Sequence, residues 1–361
     1  MSTPSEPEVL LRRDNGIGRI TLNRPRAINA LNHAMVLTMS QTLDEWAADD
    51  TVATVVLDGA GDRGLCAGGD IRAIYADAKG GGSASLDFWV DEYRLNSQIA
   101  HYPKPFVALM DGLVMGGGVG LSAHASHRVV TDRTVVGMPE VNIGLIPDVG
   151  GSYLLGRARG NTGLHVARTG GSVPGVDAIA MGLADRLIDH RSTADLIGLI
   201  IERGADAALA GLSNDTSASS LLAQRDWIDR CYDAESVEGI VERLQGTRTE
   251  AAQQAAATIL GASPTSLKVT LRAVRAARTL TLEEALNHEF RMVSAFLRAP
   301  DLVEGIRAQV IDKDRTPRWT PFTLAEVTPD MVEHYFRPTP TAPFAPTFAA
   351  PRGHQPQEAA T

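Results

Sequence analysis

Two glycine clusters constrain this chain more than any other feature. They are Leu65-Cys66-Ala67-Gly68-Gly69-Asp70 and Met115-Gly116-Gly117-Gly118-Val119-Gly120-Leu121-Ser122. Each follows a short apolar run and opens a stretch that reads as a helix. The first N–H groups of a helix lack intrahelical acceptors, and glycine lets a ligand come close to them. Two such donors converging on one carbonyl oxygen form an oxyanion hole. Either cluster alone reads equally well as a tight strand-to-helix turn. The Gly116–Gly120 spacing does not fit the dinucleotide fingerprint, and no G-x-x-x-x-G-K-[ST] occurs.

The segments around the clusters alternate. Val9 to Leu22 holds two apolar runs around Asp14-Asn15-Gly16, a hairpin signal. Asn32 to Ala48 places Met35, Val36, Met39, Leu43 and Trp46 at helical spacing. Val52–Leu57, Phe106–Met110 and Arg128–Thr131 read as strands. Helices are expected from Asp70, over Ser85–Ala100 and over Leu121–His127. Strands alternating with helices predict an α/β fold. After about Asn161 the pattern turns mostly helical, with Ala194–Ala210, Leu221–Tyr232 and Thr249–Leu260 as candidates. The division expected is a core over 1–200, a helical C-terminal region over 201–336 packed on it, and a tail over 337–361. That tail holds six of the 19 prolines and cannot bury a core, so disorder is expected there.

Composition narrows the function classes. A net charge of −9 disfavours a nucleic-acid partner. No apolar run is long enough to span a bilayer, and the N-terminus carries no signal-peptide pattern, so no membrane partner and a cytoplasmic location are expected. Two cysteines, Cys66 and Cys231, make neither a disulfide scaffold nor a four-thiolate zinc site.

The remaining chemistry lies in Met138-Pro139-Glu140 and Gly144-Leu145-Ile146-Pro147-Asp148-Val149-Gly150-Gly151. Glu140 and Asp148 are carboxylates in an apolar setting, which raises proton affinity and suits a base, acid or nucleophile. Either one alone reads first as a turn or capping acid. No serine lies in a G-x-S-x-G elbow. His124 and His127 lack further ligands, so no metal site is expected. Cys66 reads as a small packing residue. Arg24, Arg26 and Arg63 read as surface cations with phosphate binding as the alternative.

Together these stretches resemble the crotonase (enoyl-CoA hydratase/isomerase) superfamily. The likeness rests on Ile20-Thr21-Leu22-Asn23-Arg24-Pro25 with Asn29-Ala30-Leu31, on both glycine clusters and on Met138–Gly151. It implies a β-spiral core surrounded by helices, and an acyl-CoA thioester carbonyl bound by the amides of Gly69 and Gly117. It also implies that Ala27 and Asn29 lie near the adenine pocket. Hydratases of that family carry a glutamate where this chain has Gly120. Of their two carboxylates only Glu140 survives, a loss worth about 10²–10⁴ in rate for hydration.

The chain resembles most the 3-hydroxyisobutyryl-CoA hydrolase branch of that family. Asp91-Glu92-Tyr93-Arg94-Leu95-Asn96, Glu289-Phe290-Arg291, Glu304-Gly305-Ile306-Arg307-Ala308 and Pro317-Arg318-Trp319 extend the likeness to Phe336. The resemblance implies hydrolysis of a short 3-hydroxyacyl-CoA. In that reading Glu140 is nucleophile or general base, Asp148 is its partner, and Glu92 lies at the substrate. No cofactor is implied beyond the coenzyme A of the acyl-CoA substrate, and a homo-oligomer is compatible. The alternatives are a hydratase or isomerase acting through Glu140, and a catalytically silent acyl-CoA-binding protein.

Overall fold

The computed structural model describes residues 6–338. Strand β1 (Val9–Asp14) pairs antiparallel with β2 (Ile17–Leu22). Asn15 and Gly16 at the turn both have positive φ, 48° and 82°. That geometry matches the right-handed twist of the flanking strands. Parallel strands then follow in the order β2, β3 (Thr54–Gly59), β4 (Phe106–Met110), β6 (His127–Thr131) and β9 (Arg186–Ile188). A smaller sheet joins β5 (Leu113–Met115), β7 (Val135–Gly137) and β8 (Ser172–Pro174). Parallel bridges Leu31–Gly69 and Cys66–Val114 stack the loops between these strands into an inner layer. Successive turns of the chain thus add one strand to the outer sheet and one extended piece to the inner layer.

Helices cover this core. Helix α1 (His33–Ala47) starts at Asn32, whose side chain accepts from the Met35 N–H at 3.0 Å, and buries the apolar stripe read from sequence. Next come α2 (Ile71–Gly80), α3 (Ala84–Ala100), α4 (Gly117–Ser122), α5 (Gly151–Arg157), α6 (Thr162–Thr169) and α7 (Gly175–Met181). Helix α4 corrects the expectation of a helix over Leu121–His127. It begins inside the glycine cluster and ends before β6. A Cβ on Gly118 would lie 2.7 Å from the Cys66 carbonyl oxygen. Tertiary contact therefore imposes glycine on a helix that propensity alone would start later.

The stretch expected as one helix over Ala194–Ala210 is two, α8 (Thr193–Arg203) and α9 (Ala205–Leu209), broken at Gly204 with φ 77°. A division at residue 200 passes through α8. Both helices cover the outer face of the large sheet, where Leu196, Ile200 and Leu209 meet Ile17, Val56, Val107 and Val129. They therefore belong with the strands.

The C-terminal region continues with α10 (Ser220–Ala223), α11 (Arg225–Tyr232), α12 (Val237–Gly246), α13 (Glu250–Gly261), α14 (Pro264–Ala276), α15 (Leu282–Phe296), α16 (Pro300–Ile306) and α17 (Pro329–His334). One hydrophobic cluster runs from Val9 to Tyr335 through these helices and the inner sheet. The tail expected to be disordered lies, beyond Pro338, outside the described residues.

Candidate active site

The two glycine loops meet. Gly68 has φ 99°, and a Cβ there would lie 3.2 Å from the Met115 carbonyl oxygen and 3.5 Å from the Gly117 nitrogen. A Cβ on Gly117 would lie 3.4 Å from the Gly69 nitrogen. Gly69 immediately precedes Asp70, the N-cap of α2, and Gly117 is the first residue of α4. Among the described residues, neither of these two N–H groups donates to a backbone carbonyl. The result is a pair of neighbouring donors with no internal acceptor, facing one cavity.

That cavity has a volume of about 70 Å³, and Phe88, Trp89, Ile74 and Leu145 form much of its apolar wall. Three carboxylates enter it. Glu140 begins a short 3₁₀ turn, Glu140–Ile143, after Pro139. Its Oε1 would lie 3.0 Å from a Cβ on Gly116. Asp148 follows Pro147, and its Oδ2 accepts from the Tyr93 hydroxyl at 2.7 Å. Glu92 projects from α3, with Oε1 2.5 Å from where a Gly117 Cβ would sit. All three are buried. Glu92 Oε1 and Glu140 Oε2 are buried with no hydrogen-bond partner among the described residues.

Burial sets the proton affinities. It pushes Glu140 and Glu92 well above the usual carboxylate range, and the nearby charge of Asp148 adds to both shifts. Burial also raises Asp148, to about 6, against a lowering hydrogen bond from Tyr93. Such a set can take up and release protons near neutrality while two amides stabilise negative charge on an oxygen.

Of the residues singled out from sequence, Gly69, Gly117, Glu92, Glu140 and Asp148 come together here. Ala27 and Asn29, which the resemblance places near the adenine pocket, lie outside this cavity. Ala27 ends an exposed 3₁₀ turn. Asn29 is wholly buried and hydrogen-bonded through both ends of its amide. Its amide N–H group donates to the carbonyls of Ala60, Gly64 and Leu65, and its oxygen accepts from the Arg24 N–H. Asn29 is therefore a staple of the first glycine loop. Arg24 is engaged with Glu8, Asp70 and the Ala30 carbonyl, and Arg63 with the carbonyls of Pro25 and Arg26. Burial pushes the Cys66 thiol up to about 12, which suits a packing residue.

Sequence reasoning gave no role to three neighbours. Tyr93 neighbours Glu92 in the chain, and only the fold aims its hydroxyl at Asp148. Asn96, one turn further along α3, lies against Gly120. Glu289 reaches the turn after Asp148 from α15.

The family model described as Enoyl-CoA hydratase/isomerase matches residues 17–336. The chain belongs to this family. The 3-hydroxyisobutyryl-CoA hydrolase, mitochondrial, of Rattus norvegicus is 40% identical over 343 residues, 91% of this chain and 89% of the relative. Two family structures superpose over most of the chain. A carnitinyl-CoA dehydratase from Mycobacterium thermoresistibile is 51% identical with a TM-score of 0.90, covering 92% of this chain and 97% of its own. An enoyl-CoA hydratase from Rhodobacter sphaeroides is 40% identical with a TM-score of 0.86, covering 92% and 98%. The crotonase fold of these relatives therefore extends through the C-terminal helices.

Proposed function

We propose that the chain hydrolyses a short 3-hydroxyacyl-CoA thioester, with 3-hydroxyisobutyryl-CoA, an intermediate of valine breakdown, as the first substrate to test. The carrying observation is the buried pair Glu140 and Asp148 in one small cavity with the free amides of Gly69 and Gly117. The identity to the rat hydrolase supports the same reading. The small cavity, walled by aromatic and aliphatic groups, limits the acyl group to a short one.

The thioester carbonyl oxygen accepts from the two amides, which stabilise the oxyanion formed on attack. One such donor is worth about 2.7–4 kcal/mol of barrier. At neutral pH Asp148, at about 6, is the ionised member of the set, and burial holds the proton on Glu140. Glu140 passes that proton to Asp148, directly or through water, and then acts. As a nucleophile it bonds to the acyl carbon, the C–S bond breaks, and water later opens the anhydride. As a base it takes a proton from water, whose oxygen attacks the same carbon, and the C–S bond breaks. In either route the departing thiolate takes its proton from the protonated Asp148 or Glu140. Both routes yield the free acid and the coenzyme A thiol. Label in Glu140 after single turnover in ¹⁸O-water requires the anhydride; where the label is confined to the product, trapping with hydroxylamine decides, since Glu140 hydroxamate forms only from the anhydride.

A thiol-release assay on a panel of small acyl-CoA esters tests the assignment and ranks 3-hydroxyisobutyryl against 3-hydroxypropionyl groups. Glu140→Gln is expected to lower kcat by about 10²–10⁴. Parent-rate hydrolysis by that variant would refute the reading. The names of the two family structures support a second reading, hydration or dehydration through Glu140. It predicts an absorbance change with crotonyl-CoA and no thiol release.

The reading requires no cofactor besides the coenzyme A of the substrate. A reducing compartment such as the cytoplasm suits the free, buried Cys66 and Cys231, although the rat relative's name says mitochondrial. Among the described residues no helix is long and apolar enough to cross a membrane. Assembly into a homo-oligomer is part of the proposal, and light scattering measures it directly.

A further inference from the structure

Asp148 is followed by a turn in which Val149 holds a backbone conformation it does not favour. Val149 has φ 54° and Gly150 has φ 79°. Left-handed backbone is costly for a β-branched residue and persists only where surroundings enforce it. Within the turn, the Gly151 N–H donates to the Asp148 carbonyl at 2.6 Å. The other restraints come from elsewhere in the chain. His124 Nε2 meets the Val149 carbonyl at 2.9 Å.

Glu289 of α15 supplies most of them. Its carboxylate is fully buried. Oε2 accepts from the Gly150 N–H at 2.7 Å. Oε1 accepts from the Ser152 N–H at 2.9 Å and also from the Ser152 hydroxyl. Burial raises the proton affinity of this carboxyl, and those three donors oppose the rise by favouring the ionised form. A buried acid is an expensive way to cap the short helix α5, since a serine or asparagine at the N-cap does that locally. What Glu289 does beyond capping is fix the backbone on the C-terminal side of Asp148, while Tyr93 fixes its carboxylate from α3.

We propose that Glu289 is a positioning residue for the hydrolytic reaction, gripping Gly150 and Ser152 so that Asp148 keeps its aim into the acyl cavity. The inference rests on the hydrolase reading above. A residue that only stabilised the fold would change melting without separating kcat from KM.

The test compares parent and Glu289→Gln. Glutamine keeps one acceptor oxygen, so either Gly150 or Ser152 meets a second donor. The expected result is a folded protein whose kcat falls about 10–100-fold while KM stays within about two-fold. Amide exchange at Gly150 and Ser152 should quicken by more than about ten-fold. Ser152→Ala removes the hydroxyl contact alone and should lower kcat less, in the same direction, if Glu289→Gln does not fold. A folded Glu289→Gln with the parent kcat overturns the proposal, and so does parent-like exchange at both amides. A parent chain that releases no thiol refutes the hydrolase reading instead, and the exchange measurement still decides the grip.

Discussion

At the scale of single residues, Gly120 shows how a missing side chain shapes the chemistry. A Cβ there would lie 2.7 Å from Val149 Cβ and 2.9 Å from Asn96 Nδ2. The space that a hydratase-type glutamate would need is filled by these two side chains. Gly120→Glu is therefore expected to gain no hydration of crotonyl-CoA. Overpacking should cost about 1–3 kcal/mol in urea unfolding, and hydrolysis should fall with it. The motif showed that the second carboxylate was absent, but the reason it could not be restored is visible only in the packing. Tyr93 carries a pH prediction. Its hydroxyl lowers Asp148, while burial raises it and wins, leaving about 6. In the proposed mechanism the ionised form of Asp148 is the active one, so kcat/KM should fall as pH drops through about 6. Tyr93→Phe removes the lowering contact, so this acidic limb should move to higher pH. A limb that stays or moves down would exclude Asp148 as its source.

At the scale of elements, α16 and the 3₁₀ turn carrying Glu140 are pressed together through glycine. A Cβ on Gly305 would lie 2.6 Å from Ile143 Cα, and one on Gly144 2.8 Å from the Leu302 nitrogen. In an open helix, Gly→Ala stabilises by about 1 kcal/mol. Here the neighbour is backbone and cannot swing away, so Gly305→Ala should instead destabilise by about 1–2 kcal/mol in denaturant melts. Because Ile143 shares its turn with Glu140, kcat should drop as well. Elements set by local pattern were legible in sequence: the Asn15-Gly16 hairpin, the apolar stripe of α1 and the start of α2 at Asp70. Those set by contact were not. Helix α4 is built of glycines because the first glycine loop passes against it, and β5, β7 and β8 are only three residues long. Segments that short show no usable periodicity.

At the scale of the whole molecule, the C-terminal helices are part of the core. Leu282, Leu286, Phe290, Met292, Val293, Phe296, Leu302 and Ile306 all bury into the cluster that begins at Val9. Each such side chain contributes about 1.5–3 kcal/mol, so together they rival the 5–15 kcal/mol typical of a whole domain. Truncation after Leu280 should abolish the cooperative thermal transition seen by circular dichroism; a truncated chain that melted like the parent would contradict the single core. The sequence by itself determined the family and singled out Gly69, Gly117, Glu140 and Asp148 as candidates, because these lie in contiguous motifs. Only the tertiary structure decided that Asn29 is a staple, that Val149 and Asn96 close the space over Gly120, and that Glu289 grips the turn of Asp148 from 139 residues away. Those choices depend on which distant backbones touch, and contacts of that kind leave no period or motif along the chain.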